Sequence, residues 1–156
     1  MHTVSSDIDI SVPIRSVYNQ WTQFEDFPAF MWGVEEVKQV SDSALAWRVS
    51  VAGAARQFTT EITEQTPDER IAWKSTSGPQ HAGVVTFHRL SDDQTRVRLQ
   101  LEWEPKGFVE HAGAILQLDD AQVRADLEKF SQLMHSNGFE TGAWRGSIDR
   151  PDETTS

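Results

Sequence analysis

The sequence predicts an α+β fold in which a curved antiparallel sheet wraps around a long C-terminal helix. Three observations carry that expectation. First, the stretch from Phe108 to Gly138 places Leu116, Val123, Leu127, Phe130 and Met134 at steps of seven, four, three and four. That is the spacing of one apolar face on a helix of 3.6 residues per turn. Second, a series of strand-like runs before it each shows one apolar and one polar phase, as sheets do when one side is packed and the other wet. Third, short turn-forming segments join the runs, which makes them an antiparallel meander.

The elements follow in order. Val4 to Ile10 reads as a strand, with Ile8, Ile10 and Val12 on one face. Pro13 suits the first turn of a helix, where its missing N–H is not needed. Ile14, Val17, Trp21 and Phe24 follow at helical spacing, and Glu25-Asp26-Phe27-Pro28 breaks the run because Pro disfavours helix in the residue before it. Ala29 to Gly33 is a second small helix or a loop. From Val34 the period becomes two. Val34, Val37 and Val40 alternate imperfectly; Leu45, Trp47, Val49 and Val51 alternate cleanly. Phe58, Thr60 and Ile62 lead to a turn at Pro67-Asp68. Ile71, Trp73 and Ser75 end at Ser77-Gly78-Pro79, and Gly83, Val85 and Phe87 end at the hairpin Ser91-Asp92-Asp93-Gln94. Val97, Leu99, Leu101 and Trp103 form the most regular half-buried strand. Pro105-Lys106-Gly107 then releases the chain into the last helix, which Asp119-Asp120 opens or bends. Asn137 and Gly138 stop it, since both accept the left-handed conformation. The expectation is one domain over residues 1–148, with Phe139 and Trp144 folded back on the body, and a polar tail over 149–156.

Composition bounds the function. A chain of 156 residues buries roughly 68–70% of its unfolded surface and needs no staple. It has no cysteine, which excludes a disulfide framework, a thiolate metal site and a cysteine nucleophile. Fourteen basic residues face 24 acidic ones, for a net charge of −10. A nucleic-acid partner needs a concentrated positive surface, so none is expected, and an anionic membrane surface would repel the chain. No apolar stretch approaches the roughly eighteen residues of a membrane span, and the first residues lack the basic flank and apolar run of a signal peptide. The expected localisation is cytoplasmic, with no stable membrane insertion; the sequence names no protein partner. Six tryptophans and eight phenylalanines imply a large aromatic interior, which is either a dense core or an apolar pocket.

Three stretches then carry a family resemblance. They are Val12 to Trp21 running into Phe24 to Met31; Pro67 to Trp73 followed by Gly83 to Phe87 and Thr95 to Val97; and Asp126 to Phe130 in the last helix. Together they resemble the polyketide cyclase/dehydrase and coenzyme Q-binding-like branch of the START-type (SRPBCC) helix-grip superfamily, over about Ile8 to Gly138. The resemblance implies a helix-grip fold with seven antiparallel strands around a tunnel-like cavity. It also implies that the chain binds a hydrophobic molecule such as a lipid, quinone or polyketide, with aromatase/cyclase or dehydrase chemistry as the alternative.

The residues themselves point to binding more than to chemistry. No G-x-S-x-G elbow is present. No His or carboxylate pair has the helical spacing of a metal site, so neither a metal nor a cofactor is expected. Glu110 and His111, in the first turn of the long helix, are weak candidates for an acid/base pair. His88 falls in an outward phase; His81 shares the inward phase of Val85 and Phe87 but sits at the strand's end. Arg48, Arg56, Arg96 and Arg98 point outward, Arg89 sits at the rim, and the single tyrosine, Tyr18, is in the first helix. Interior Arg and Tyr, which the resemblance implies for cyclases, find no match.

The expected ligand-binding lining is Trp47 and Val49, Phe58 and Thr60, Trp73 and Ser75, Val85 and Phe87, Leu99, Leu101 and Trp103, with His111, Ile115 and Leu118 from the helix. Thr60 and Ser75 are the small hydrogen-bonders among them. Phe27, Phe30, Met31 and Trp32, between the breakers Pro28 and Gly33, form either a lid packed on the core or a gate over the pocket mouth. Ala112-Gly113-Ala114 leaves room beneath the early half of the helix, so a pocket is expected there.

Overall fold

β1 (His2–Ile10) and β2 (Val34–Gln39) are consecutive strands, yet they form opposite edges of one seven-stranded antiparallel sheet of order β1-β7-β6-β5-β4-β3-β2. The intervening strands are β3 (Ala44–Val51), β4 (Ala54–Thr66), β5 (Arg70–Ser77), β6 (His81–Ser91) and β7 (Gln94–Trp103). The chain passes between the two edges through α1 (Ile14–Trp21) and a 3-10 helix (Phe24–Ala29), the two short helices expected between the first strands. α2 (Asp120–Ser136) packs over β1 and β7. These features belong to a computed structural model, which describes residues 2–31, 33–51, 54–77, 81–103, 120–136 and 142–148.

The α+β class, the seven strands and the C-terminal helix are as expected, though the expected first half of that helix, from Phe108 through Ala112-Gly113-Ala114 and Leu116, lies outside the described residues. The seam of α2 is also as expected: Val123, Leu127 and Phe130 are fully buried and Met134 nearly so. The outward phases carry cross-strand ion pairs. Asp7 faces Arg98 and Asp9 faces Arg96 across the β1–β7 ladder, with Arg96 Nε 2.8 Å from Asp9 Oδ1. That guanidinium, hydrogen-bonded to Asp9, holds its carboxyl below the usual carboxylate range.

Bulges account for the places where sequence periodicity and structure part. In β2 the register shifts between Val34 and Glu36. The extra residue puts Val34 and Val37 on the same face, three apart, and the strand ends at Gln39. Val40, expected in that face, is 64% exposed. In β4 a second shift between Ile62 and Glu64 turns the inward phase onto Gln65, which is 1% exposed. A bulge bends and twists its strand, so these irregularities supply part of the sheet's curl. The β4–β5 turn is closed by Glu69 N–H donating to Thr66 O, with Asp68 at φ 63°, the left-handed position that Asp tolerates.

The first helix also ends earlier than its apolar spacing suggests. α1 stops at Trp21, where the Thr22 N–H bonds to the Tyr18 and Asn19 carbonyls. Phe24 starts the 3-10 helix, and Pro28, expected as a breaker, lies inside it. Phe24 is still in the core, 2% exposed and 5.3 Å from the Phe27 ring.

Candidate functional site

The inner face of the sheet is not uniformly sealed. Along β3, exposure rises from 0% at Leu45 to 5% at Val49; along β7 it rises from 0% at Val97 to 9% at Leu101. In β5, Ile71 is fully buried and Ser75 half-buried; in β6, Val85 is fully buried and His81 half-buried. One end of the concave side is therefore packed solid. The other, at Val49, Phe58, Ser75, His81 and Leu101, is less completely buried among the described residues, with Leu101 9% exposed and Ser75 and His81 half-buried. His81 pairs with Trp103 in the β6–β7 ladder, so this open end is also where the chain leaves β7.

An aromatic array lines that end. Trp47 stacks on Phe58 with ring centroids 5.6 Å apart at 12°, and on Trp73 at 6.1 Å and 28°. His81 lies against all three, at 5.8, 5.4 and 6.4 Å. Hydrogen bonds fix the rings. The Trp47 Nε1–H donates to Thr60 Oγ1 at 2.8 Å, and the Trp73 Nε1–H donates to His81 Nε2 at 3.0 Å. The His81 backbone N–H donates to Ser75 Oγ at 3.0 Å. Gly83 faces Trp73 across the β5–β6 ladder, and the indole lies where a Cβ on Gly83 would be. Glycine is what lets that ring lie flat on the sheet. Burial among these rings pushes the His81 imidazole down to about 4, so it is neutral at physiological pH.

The expected lining residues thus divide. Trp47, Val49, Phe58, Thr60, Trp73, Ser75 and Leu101 gather at or next to the open end. Val85 and Leu99, at 0% and 1% exposed, belong to the packed floor, and Phe87 meets the edge of Tyr18 at 5.3 Å. Thr60 and Ser75 both accept hydrogen bonds from protein N–H groups, so their oxygens hold the array in place. The Trp103 side chain, together with Glu110, His111, Ile115 and Leu118 of the expected lining and acid/base pair, lies outside the described residues, as does Trp32 of the expected gate. The other three gate residues are buried in the core. Phe27 contacts Trp21, Phe24, Phe30 and Trp47 at 5.3 to 5.8 Å, Phe30 contacts Phe130 at 5.1 Å, and Met31 is 7% exposed.

Sequence reasoning left His81 out of the lining. Its signal was the shared phase with Gly83, Val85 and Phe87, outweighed by its place at the strand's end. It also missed the underside of α1. There Arg145, from the segment that folds back after α2, donates to Asn19 Oδ1 at 2.7 Å and pairs with Asp68 Oδ2 at 2.8 Å, its guanidinium 5.4 Å from the Tyr18 ring. Ile148 bridges Gln65 through both backbone bonds at 2.8 Å, and the Trp144 N–H donates to Thr22 Oγ1. Burial raises the Tyr18 phenol above its ordinary value, and the ring sits at the packed side of the fold, away from the open end. Among the described residues no group of His, Asp and Glu is arranged to hold a metal ion, and no helix is long and apolar enough to cross a membrane.

Comparison with known proteins agrees with this geometry. Residues 10–131 match the family described as polyketide cyclase / dehydrase and lipid transport. The "Uncharacterized 17.2 kDa protein in melC2-rnhH intergenic region" of Streptomyces lincolnensis is 47% identical over 149 residues, covering 95% of this chain and 99% of that protein. Among solved structures, a Deinococcus radiodurans protein superimposes with a TM-score of 0.72 at 22% identity, over 88% of this chain and 99% of that one. A START superfamily protein from Mycobacterium smegmatis gives 0.66 at 14%, over 88% and 97%. BexL, a di-domain ARO/CYC of the BE-7585A biosynthetic pathway, gives 0.61 at 17%, over 87% of this chain and 48% of BexL. At these identities the structural likenesses show the fold.

Proposed function

The chain belongs to the polyketide cyclase/dehydrase and lipid transport family, and from that premise we propose that it binds a hydrophobic small molecule (a lipid, quinone or polyketide) between the open end of the sheet and the start of the C-terminal helix. The observation that carries this reading is the gradient of exposure along the strands. A domain whose inner face served packing alone would be sealed at both ends. Here the less completely buried end carries Trp47, Phe58 and Trp73, themselves 4%, 4% and 2% exposed, the apolar, aromatic lining with few polar groups that ligand sites use.

Aromatase/cyclase or dehydrase chemistry is the alternative. BexL is described as an ARO/CYC, which keeps it in view. What favours binding alone is the character of the described inner face. Its one titratable group at the open end is His81, held neutral and already accepting from Trp73, and the single phenol is buried on the other side of the core. Neither is placed as a general acid poised near neutral pH.

The test is direct. Purified protein is extracted and the extract analysed by mass spectrometry, and emptied protein is titrated with the apolar fluorophore 1-anilinonaphthalene-8-sulfonate and with decyl-ubiquinone. Expected is a co-purifying apolar molecule, or saturable binding that quenches tryptophan emission. Neither a bound molecule nor saturable binding of either probe overturns the reading.

A further inference from the structure

We propose that the groove between the 3-10 helix, the β2–β3 hairpin and the segment after α2 docks an arginine-bearing basic segment of a partner protein. The groove encloses about 400 Å³ and shares no lining residue with the aromatic array. Val40 and Trp144 line it with apolar surface, and Glu25, Asp26 and Asp42 line it with carboxylates. Among the described residues, no Lys, Arg or His lines it.

Three segments build the groove, and hydrogen bonds hold them to one another. The Val40 N–H donates to Ala44 O at 2.9 Å and closes the hairpin. The Gln39 N–H donates to Glu25 Oε2 at 3.1 Å and ties the hairpin to the 3-10 helix. The Trp144 N–H donates to Thr22 Oγ1 at 3.0 Å and fastens the last segment to the end of α1. The indole lies where a Cβ on Gly146 would be, so glycine lets the ring fold back over its own segment. A surface held in this way is ordered before a partner arrives, which lowers the cost of docking.

Two properties name the occupant. The first is apolar surface left in water. Val40 is 64% exposed, the more exposed of the two large apolar side chains at the surface among the described residues, and it shares the groove with a half-buried indole. The second is charge without an internal partner. Elsewhere the chain answers its own carboxylates: Arg96 pairs with Asp9, Arg98 with Asp7, Arg70 with Glu64 and Arg145 with Asp68. Glu25 and Asp42 make no ion pair among the described residues. A guanidinium meets both properties. Its flat fork pairs with carboxylates and its plane stacks on an indole, while its apolar stem covers surface such as that of Val40. A small free cation would leave that apolar surface wet, so the group belongs on a polypeptide. The net charge of −10 draws a basic partner from a distance.

The test titrates the full-length, isotope-labelled protein with the acetylated, amidated peptide Gly-Arg-Leu-Arg-Gly and follows it by two-dimensional NMR. The control is the neutral analogue with citrulline in place of both arginines. Expected is saturable binding with the largest shifts at the Trp144 indole N–H and the Val40 and Asp42 amides. The citrulline peptide binds roughly ten-fold more weakly, having lost its ion pairs and its cation–π contact. Combining Glu25→Gln with Asp42→Asn weakens the arginine peptide about three- to five-fold and leaves the citrulline peptide unchanged. Gln keeps an acceptor for the Gln39 N–H, and Asp42 is exposed, so the double variant folds. Four outcomes overturn the inference: equal binding of the two peptides, shifts centred on Trp47 and Trp73 instead of Trp144, unchanged affinity in the double variant, or no saturation by about 10 mM peptide. None of them bears on apolar binding at the concave face, which the fluorophore and quinone titrations read.

Discussion

Substituting alanine for Gly83 tests the architecture of the aromatic corner most sharply. A Cβ at that position would sit 2.3 Å from Trp73 Cζ2, 2.5 Å from Cε2 and 2.9 Å from Nε1. Carbon atoms pack at about 3.5–4.0 Å, so the indole must move by roughly an ångström. It has little room, being 2% exposed, stacked on Trp47 and within 6.4 Å of Phe27. Overpacking of this kind costs about 1–3 kcal/mol. The displaced ring also draws its N–H away from His81 Nε2, and a buried donor without its acceptor costs about 1–3 kcal/mol more. The expected loss is about 2–5 kcal/mol, a large part of the roughly 5–15 kcal/mol that holds a domain folded. Urea unfolding followed by tryptophan emission reads it as a fall of about 1–2 M or more in midpoint, for a slope of about 1–3 kcal/mol per M. Trp73→Phe removes the benzo atoms that collide, so adding Gly83→Ala to that variant should cost less than about 1 kcal/mol. If Gly83→Ala lies within about 0.5 kcal/mol of its parent, or costs as much in the Trp73→Phe background as in the wild type, the account of the corner is wrong.

Two further perturbations address charge. The folded His81 stays neutral down to about pH 4 against an ordinary 6.5. Between those values the unfolded chain takes up a proton that the folded one refuses. The contribution is present in full above pH 6.5 and falls as pH drops, by at most about 1.4 kcal/mol per unit, until about pH 4. Stability curves of wild type and His81→Gln should therefore converge toward acid pH, and parallel curves from pH 7 to 4 would refute the buried imidazole. Arg145→Ala removes two charge-assisted bonds, to Asn19 and Asp68, and should lower stability by about 1–3 kcal/mol, with faster amide exchange at Gln65 and Ile148; unchanged exchange there would show that Arg145 does not fasten the segment.

The strand faces were legible because burial on one side and water on the other leave a two-residue period, as in Val97, Leu99 and Leu101. What the sequence hid were the points where that period slips. A bulge in β4 carries Gln65 inward, where no pattern of apolar residues marks it, and a bulge in β2 leaves Val40 outside. The corner was half legible. Trp47, Phe58 and Trp73 announced themselves by type and phase. His81 did not, because what makes it interior is the tryptophan that bonds it across the β5–β6 ladder, and the glycine that lets that tryptophan lie flat. Such pairings depend on register, which no single strand records. Arg145 lay further from reach, since its partners are more than seventy residues away in sequence.

For the proposed apolar ligand, the entry route would follow from the cost of moving what is in the way. The route through the expected gate requires the 3-10 helix to lift, taking Phe27 and Phe30 out of their contacts with Trp21, Trp47 and Phe130. Exposing one fully buried phenylalanine costs about 1.5–3 kcal/mol, so lifting both costs about 3–6 kcal/mol. The lifted state is then roughly 10²–10⁴-fold rarer than the closed one. Entry at the His81 end would leave the 3-10 helix and its contacts in place. The Met31 amide reports which route operates, because its N–H bonds to the Phe27 carbonyl at 2.8 Å and breaks only when this helix lifts. Native-state hydrogen exchange should show Met31 protected by about 10²–10⁴ relative to an exposed amide, with ligand on-rates far above the opening rate it implies. A Met31 amide as fast as an exposed one, with on-rates that track its opening, would move the entrance back to the aromatic segment around Pro28.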